Sequence, residues 1–377
     1  MVTPMQTTST EPSIIPEATR PSTSRSIEPF EPGQMPVVRS IHMQSSLEGW
    51  AIGASEDDPL SHDHVLWTED GGQTWIDMSP SEDWVSVEPM ARDLGAVHFG
   101  ADRAWILYRG SDLMWHVRPH LSGWARIGVG DAWAPLSTLT FTDGDHGWLM
   151  QSVEAGMGTE LVALYRTLDG GLSWDPIVDP YEDEDLQICF KTGIQFHGAE
   201  TGWVTVDCQG NYADAFLLIS EDGGGTWNQL TLPRTPQAPS APEVGYCYSS
   251  SPTLVSEQTG VLKVDCLMLA DDDLVESSYL YSTEDTGISW EIHEFPGGQL
   301  RFFDDGTMLA LARDQYRSTD GGATWTKIKS VEWDGQYSFV DLNTGWAVAT
   351  NEGEIALVRT TDGGATWEIV EPVIASD

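Results

Sequence analysis

Fifty-nine carboxylates, 9 histidines, 4 cysteines and 17 tryptophans are the side chains with chemistry to offer in this 377-residue sequence. Paired carboxylates can hydrolyse glycosidic bonds, and clustered ones can hold calcium, which takes about six to eight oxygen ligands. With 59 acids some suitably spaced pair is inevitable, so their abundance carries no information about hydrolysis. The acidic runs at 179–185 (DPYEDED), 271–273 and 57–58 lack the spacing of a calcium loop and read as solvated faces. His62 and His64 stand two apart in what reads as a loop, and an extended chain would put both on one side. Two histidines do not complete a metal site. No metal, cofactor or catalytic residue is nominated.

The cysteines form two pairs of equal separation, Cys189 to Cys208 and Cys247 to Cys266, each 19 apart. Each pair brackets a strand, a turn and a second strand, so in an antiparallel hairpin its members lie opposite each other. Two disulfides are expected within hairpins, and with them an oxidising, extracytoplasmic location, secreted or anchored to the outer face of a membrane. Four buried thiols in a cytosolic protein is the competing reading. Zinc ranks behind both, because no close Cys or His pairs accompany the cysteines.

Charge narrows the partners. Lys and Arg total 18 against 59 acids, a formal charge of −41. Binding nucleic acid through phosphate neutralisation is excluded, and a neutral or cationic protein or glycan partner is expected. No run approaches the roughly 18 apolar residues of a membrane helix. Residues 1–36 contain 7 Pro and 11 Ser or Thr, and they read as a disordered linker of the kind that tethers an extracytoplasmic domain to an anchor, which either lay further upstream or never existed. They contain neither the basic start nor the apolar core of a signal peptide. A monomer is expected.

What must position these residues is a repeat. The strings TEDGGQTW (68–75), TLDGGLSW (167–174), SEDGGGTW (220–227), TEDTGISW (283–290), STDGGATW (318–325) and TTDGGATW (360–367) are hairpin turns. The carboxylates of Asp70, Asp169, Asp222, Asp285, Asp320 and Asp362 can accept backbone N–H bonds across the turn. The second glycine, present in all six, suits a positive φ. A Gly-Trp turn and an apolar strand precede each copy, clearest at Trp50, Trp148, Trp203 and Trp346 and weaker at Trp105, Val261 and Met308. The seventh hairpin is degenerate: VRPHLSGW (117–124) keeps Trp124 and loses the Asp. Trp50 to Trp346 is 296 residues in six steps, the length of one four-stranded propeller blade per step. The expected fold is an all-β, seven-bladed β-propeller over residues 37–377, with first and last blades closing side by side and room for the linker to add an outer strand.

The Thr-x-Asp-Gly-Gly-x-Thr-Trp strings resemble the BNR or Asp-box repeat superfamily. Combined with Gly-Trp-Ala-Val, they are most similar to the photosystem II assembly-factor-like propellers. That resemblance implies a non-enzymatic scaffold binding a membrane-protein client. The sequence departs from it in charge, since that family is associated with a basic patch and this chain scatters 14 Arg among its acids, which argues against a photosystem client. Sialidases also carry Asp boxes, but their Arg-Ile-Pro or Arg-Leu-Pro string has no counterpart here. A sialidase- or xyloglucanase-type glycoside hydrolase, or a glycan-binding module, is the alternative.

Twelve of the 17 tryptophans close the turns or open the second strands and belong to the core. Trp67, Trp84, Trp115, Trp133 and Trp333 remain. Trp84, Trp133 and Trp333 fall in the connections between blades, on the face opposite the Asp turns. With Tyr181, Asp183 and Tyr246 they would form an aromatic and acidic rim suited to partner or ligand binding, or else fill gaps between blades.

Overall fold

The computed structural model describes residues 23–25, 29–55, 63–80, 84–86, 94–101, 103–108, 113–119, 125–128, 136–156, 158–209, 215–234, 245–270, 273–303 and 305–376. Seven antiparallel sheets of four strands follow one another along the chain, each running A, B, C, D in sequence order. Their A strands are Pro36–Met43, Leu94–Phe99, Leu136–Phe141, Phe190–His197, Gly245–Leu254, Gln299–Phe302 and Asp334–Phe339. The expected seven-bladed propeller is the fold observed. We call the face bearing the A–B turns and Asp boxes the lower face, and the face bearing the B–C turns and D–A connections the upper.

The Asp box is a closed hydrogen-bond circuit, repeated six times. The hydroxyl two residues before each Asp (Thr68, Thr167, Ser220, Thr283, Ser318, Thr360) donates to its Oδ1 at 2.8–3.0 Å. The oxygen of that same hydroxyl accepts the N–H of the second glycine at 2.8–3.0 Å. Four residues after the Asp, a Ser or Thr donates its N–H to Oδ1 at 2.8–2.9 Å and its hydroxyl to Oδ2 at 2.6–2.8 Å. The first glycine then donates its N–H to the A–B turn of its own blade, as Gly71 does to the Leu47 carbonyl at 2.8 Å. Both glycines take positive φ, 79° and 90° at Gly71 and Gly72.

Blade five breaks that pattern: Thr286 replaces the first glycine and still adopts φ 60°. A β-branched residue there is strained by about 1–2 kcal/mol. Thr286→Gly should therefore raise stability by about 1 kcal/mol after the entropy Gly adds to the unfolded chain. A urea titration checks this, and a lower midpoint would contradict it.

Tryptophans and glutamines join blade to blade. The buried B-strand indoles donate Nε1–H to the first-glycine carbonyl of the next blade's box: Trp105 to Gly170, Trp148 to Gly223 and Trp346 to Gly71, each at 2.9 Å. Trp203 faces the box carrying Thr286, and its fully buried Nε1 finds no acceptor among the described residues; nor does that of Trp50. Around the central channel, side-chain amides replace backbone pairing between A strands. Gln336 donates to the Ile41 carbonyl at 3.0 Å and accepts the Ile41 N–H at 2.9 Å, and Gln299 binds Tyr337 the same way at 2.9 and 3.0 Å.

Ring closure differs from the expected simple abutment of first and last blades. Val373–Ile374, beyond the last D strand, pairs in parallel with Thr74–Asp77 and becomes the fifth strand of blade one. The Gln34 carbonyl accepts the Ile374 N–H at 2.9 Å, and Gly33 N–H returns to the Ile374 carbonyl at 2.9 Å. Phe30 is buried over His64, ring centroids 4.1 Å apart, and Thr23–Arg25 pairs with Trp84–Ser86. The described part of the first 36 residues is thus attached to the propeller, where a disordered linker was expected. The physical reason is the open edge of blade one: Val373 and Ala375 N–H satisfy the Gln73 and Trp75 carbonyls, and the segment around Gln34 in turn satisfies the other side of that added strand at Ile374.

Candidate upper-face site

Both expected disulfides are present, Cys189–Cys208 and Cys247–Cys266. They sit at the upper ends of blades four and five, where strand A begins and strand B ends, and Cys247 lies directly across from Cys266. Beside the first, Lys191 donates Nζ to the carbonyls of Glu160, Ile188 and Cys189 at 2.7, 3.0 and 3.2 Å. Burial pulls its pKa down to about 8 against the opposing pull of the Glu160 carboxylate. That ammonium holds the turn at Cys189, whose φ is 51°. Thr192 donates to the Ser249 carbonyl at 2.6 Å and carries the brace from blade four to blade five. The upper rim is therefore rigid at these two blades.

The expected rim residues are placed as follows. Tyr181 is 71% exposed at the tip of the turn joining blades three and four. The turn is shaped by carboxylates, since Asp179 Oδ1 accepts the Tyr181 N–H at 2.8 Å and Asp183 Oδ2 accepts the Asp179 N–H at 2.6 Å. Asp183 thus presents Tyr181 rather than standing alone. Tyr246 begins the A strand of blade five beside the disulfide, its ring 6.1 Å from that of Tyr248. Trp333 is half-buried between blades six and seven, 5.6 Å from both Tyr337 and Trp367, in a packing position. Trp84 is described only in its backbone, and Trp133 lies outside the described residues, as do Trp124, His62 and the acidic pairs at 57–58 and 271–272. Tyr181 and Asp183 share one turn; Tyr246 and Trp333 stand on other blades.

Several residues differ from their sequence reading or were not singled out. His64, expected in a loop, is buried in strand C of blade one and bonded through Nδ1 to Asp77 at 2.9 Å. Trp67, unassigned, is buried 4.7 Å from Trp50. On the inner strands His98 is driven down to about 4 by burial and then by His42, and burial and Arg301 lower His42, so both imidazoles are neutral near pH 7. Tyr248 is raised by burial and by Asp265, Glu276 and Asp207.

None of the six box aspartates is available for catalysis, because each is consumed in its own turn. Hydroxyl and N–H donation from Thr324 and Thr366 holds Asp320 and Asp362 at about 2. Asp222→Ala should cost about 1–2 kcal/mol for its lost turn bonds while leaving upper-face binding unchanged. Loss of binding at an unaltered melting temperature would contradict it. Among the described residues no cluster of three or more His, Cys, Asp or Glu is arranged to hold a metal ion.

Similarity to known proteins follows the same lines. The BNR/Asp-box repeat family matches at residues 316–327, the box of blade six. No curated protein matches the sequence. Among solved structures, YCF48 bound to D1 peptide superposes with TM-score 0.55 at 15% identity, covering 92% of this chain and 96% of that one. YCF48 from Cyanidioschyzon merolae gives 0.51 at 16% identity, with 89% and 98% covered. A GH74 xyloglucanase from Xanthomonas campestris gives 0.52 at 14% identity, covering 94% of this chain and 55% of the enzyme. At these identities the likeness is one of fold: the chain is a seven-bladed β-propeller built on BNR/Asp-box repeats.

Proposed function

We propose that this propeller is a non-enzymatic protein-interaction scaffold working outside the cytoplasm, with its upper face as the contact surface. The observation that carries the reading is the division of labour between faces. The lower face spends its six box aspartates on internal turns, while the upper face is braced by two disulfides and presents exposed Tyr181 and the half-buried Tyr246–Tyr248 pair. Exposed aromatics give contact area at low entropic cost, and a chain of charge −41 steers cationic groups toward them. The fold likeness to YCF48 bound to D1 peptide supports a protein partner, and two disulfides support an oxidising compartment.

A carbohydrate-active enzyme is the second reading, favoured by the fold shared with the xyloglucanase. Incubating the purified protein with xyloglucan and sialylated glycans separates the two. No new reducing ends or free sialic acid is expected, whereas turnover abolished by one carboxylate substitution would establish the enzyme. In parallel, Tyr181→Ala with Tyr246→Ala should reduce partner capture without lowering the melting temperature, and Trp333→Ala should lower the melting temperature with capture intact.

A further inference from the structure

Blade five is taller than its neighbour and taller than its own outer strand. Its B and C strands, Gly260–Ala270 and Asp273–Thr283, have 11 residues each, against 4 and 5 in Met308–Leu311 and Asp314–Ser318 of blade six. Low on the shared face, Val261, Leu280 and Phe295 pack on Met308 and Ala310; higher up, blade six has ended. The D strand of blade five, Glu291–Phe295, pairs with strand C only from Ser282 up to Ser278. Residues 273–277 therefore rise above it, paired to strand B on one side and open on the other. Among the described residues no hydrogen bond reaches that outer edge. At its foot lies a groove of about 580 Å³, walled by residues 276–279, by the end of strand D and the Gly297–Gly298 connection, and by Lys263 of strand B.

Blade three shows how this protein covers such an edge. Its strand C, Thr159–Thr167, also outruns its D strand, which pairs only with residues 164–166. There the 11-residue connection to blade four folds back over the edge. Val162 N–H donates to Gln187 Oε1 at 3.1 Å, Gln187 Nε2 donates to the Val162 carbonyl at 3.4 Å, and Thr159 forms a parallel bridge with Cys189. On blade one the outer edge takes an added strand, Val373–Ile374. After blade five the connection is three residues, Pro296 to Gly298, and leads straight into blade six.

We propose that the edge at residues 273–277 accepts an extended segment of a partner protein by β-strand addition, in the row above strand D. Backbone N–H and C=O groups carry the binding, because an edge strand presents them in alternation. Val275, 40% exposed, favours an apolar β-branched neighbour across the strand, and Glu276 a neutral polar one. The occupant is thus a proline-free segment of alternating Val or Ile and Thr or Ser, about five residues and about 17 Å long. The inference rests on the upper face being the contact surface and names how a partner is held there.

The test uses the full chain and a fluorescent Gly-Thr-Val-Thr-Val-Thr peptide as probe, read by anisotropy, beside two N-methylated forms. One form is methylated at both Val residues and the other at the second and third Thr. A strand that pairs through one edge uses alternate N–H groups, so one form should bind about tenfold more weakly than the unmodified peptide and the other within about twofold. Hydrogen exchange in the complex should slow within residues 273–277. It should stay unchanged at residues 354–356, by which strand C of blade seven outruns its own D strand. No binding of the unmodified peptide, equal binding of the two methylated forms, or slowing at 354–356 in place of 273–277 would overturn the proposal. So would exchange at 273–277 that slows with protein concentration in the free chain, which would assign the edge to a second copy. Failure here with partner capture still dependent on Tyr181 and Tyr246 would sink the edge alone; loss of both would sink the contact face.

Discussion

Trp346→Ala should destabilise the protein by about 3–5 kcal/mol, the scale for emptying a buried Trp site. Trp346 is fully buried at the junction of blades seven and one, under the Arg359 guanidinium 5.0 Å away, and its indole N–H is bonded to blade one. In a ring each blade covers its faces only with its neighbours, so a hole at this junction weakens a contact that the chain otherwise spans only through the short Val373–Ile374 strand. Trp346→Phe keeps much of the ring volume and removes the hydrogen bond, a loss of about 1 kcal/mol from that source. Trp203→Phe is the control, since the Trp203 Nε1 has no acceptor among the described residues, and it should cost less than Trp346→Phe. Urea midpoints of the three variants decide the matter; equal midpoints for the two Phe variants would deny that the indole hydrogen bond contributes.

The second large effect is expected at the opposite edge of the same junction. Ile374 is 5% exposed and held between blade one and the segment around Gln34. Ile374→Ala should cost about 2–4 kcal/mol by creating a cavity in a site that also organises backbone bonds. Val373 N–H donates to the Gln73 carbonyl at 3.1 Å and Ala375 N–H to the Trp75 carbonyl at 2.8 Å. Hydrogen exchange at these amides and at Gly33 should quicken together in the variant, because one strand serves all three. Unchanged exchange with unchanged stability would mean that the fifth strand does not close the ring.

The repeating parts of this protein were legible in its sequence because their chemistry is local. A box such as SEDGGGTW encloses its donors and acceptors within eight residues, so Ser220, Asp222, Gly224 and Thr226 announce the turn by type and spacing alone. The cysteine pairs were legible for the same reason, each lying within one hairpin. What joins blades was not. Gln336 bonds a residue 295 positions away, and Trp346 one 275 away; nothing in a glutamine or a tryptophan says which distant carbonyl it will meet. The fifth strand is a two-residue element after Pro372, too short to show any alternation. His64 read as a loop residue because the loop before it obscured where strand C begins, and its burial depends on Phe30 and Asp77 from elsewhere in the chain.

The upper face was legible only in part. Tyr181 and Tyr246 could be placed by counting connections between blades, since the strand order follows from the repeat. The groove lined by Lys263, Glu276 and Gly297–Gly298 could not, because it arises from a mismatch in strand length between blades five and six rather than from any motif. Lys263 in an alternating strand looks like an ordinary solvent-facing residue; only the height of the next blade makes it one side of a groove.

The most direct test of the scaffold reading is site-specific photo-cross-linking to the partner, with the reactive group placed in turn at Tyr181, Tyr246, Leu172 and Ala323. The first two positions lie on the upper face and the last two in lower-face Asp boxes. Adducts with one protein from Tyr181 and Tyr246, and none from Leu172 or Ala323, are the predicted result. Adducts confined to Leu172 and Ala323 would contradict it and move the contact surface to the Asp-box face.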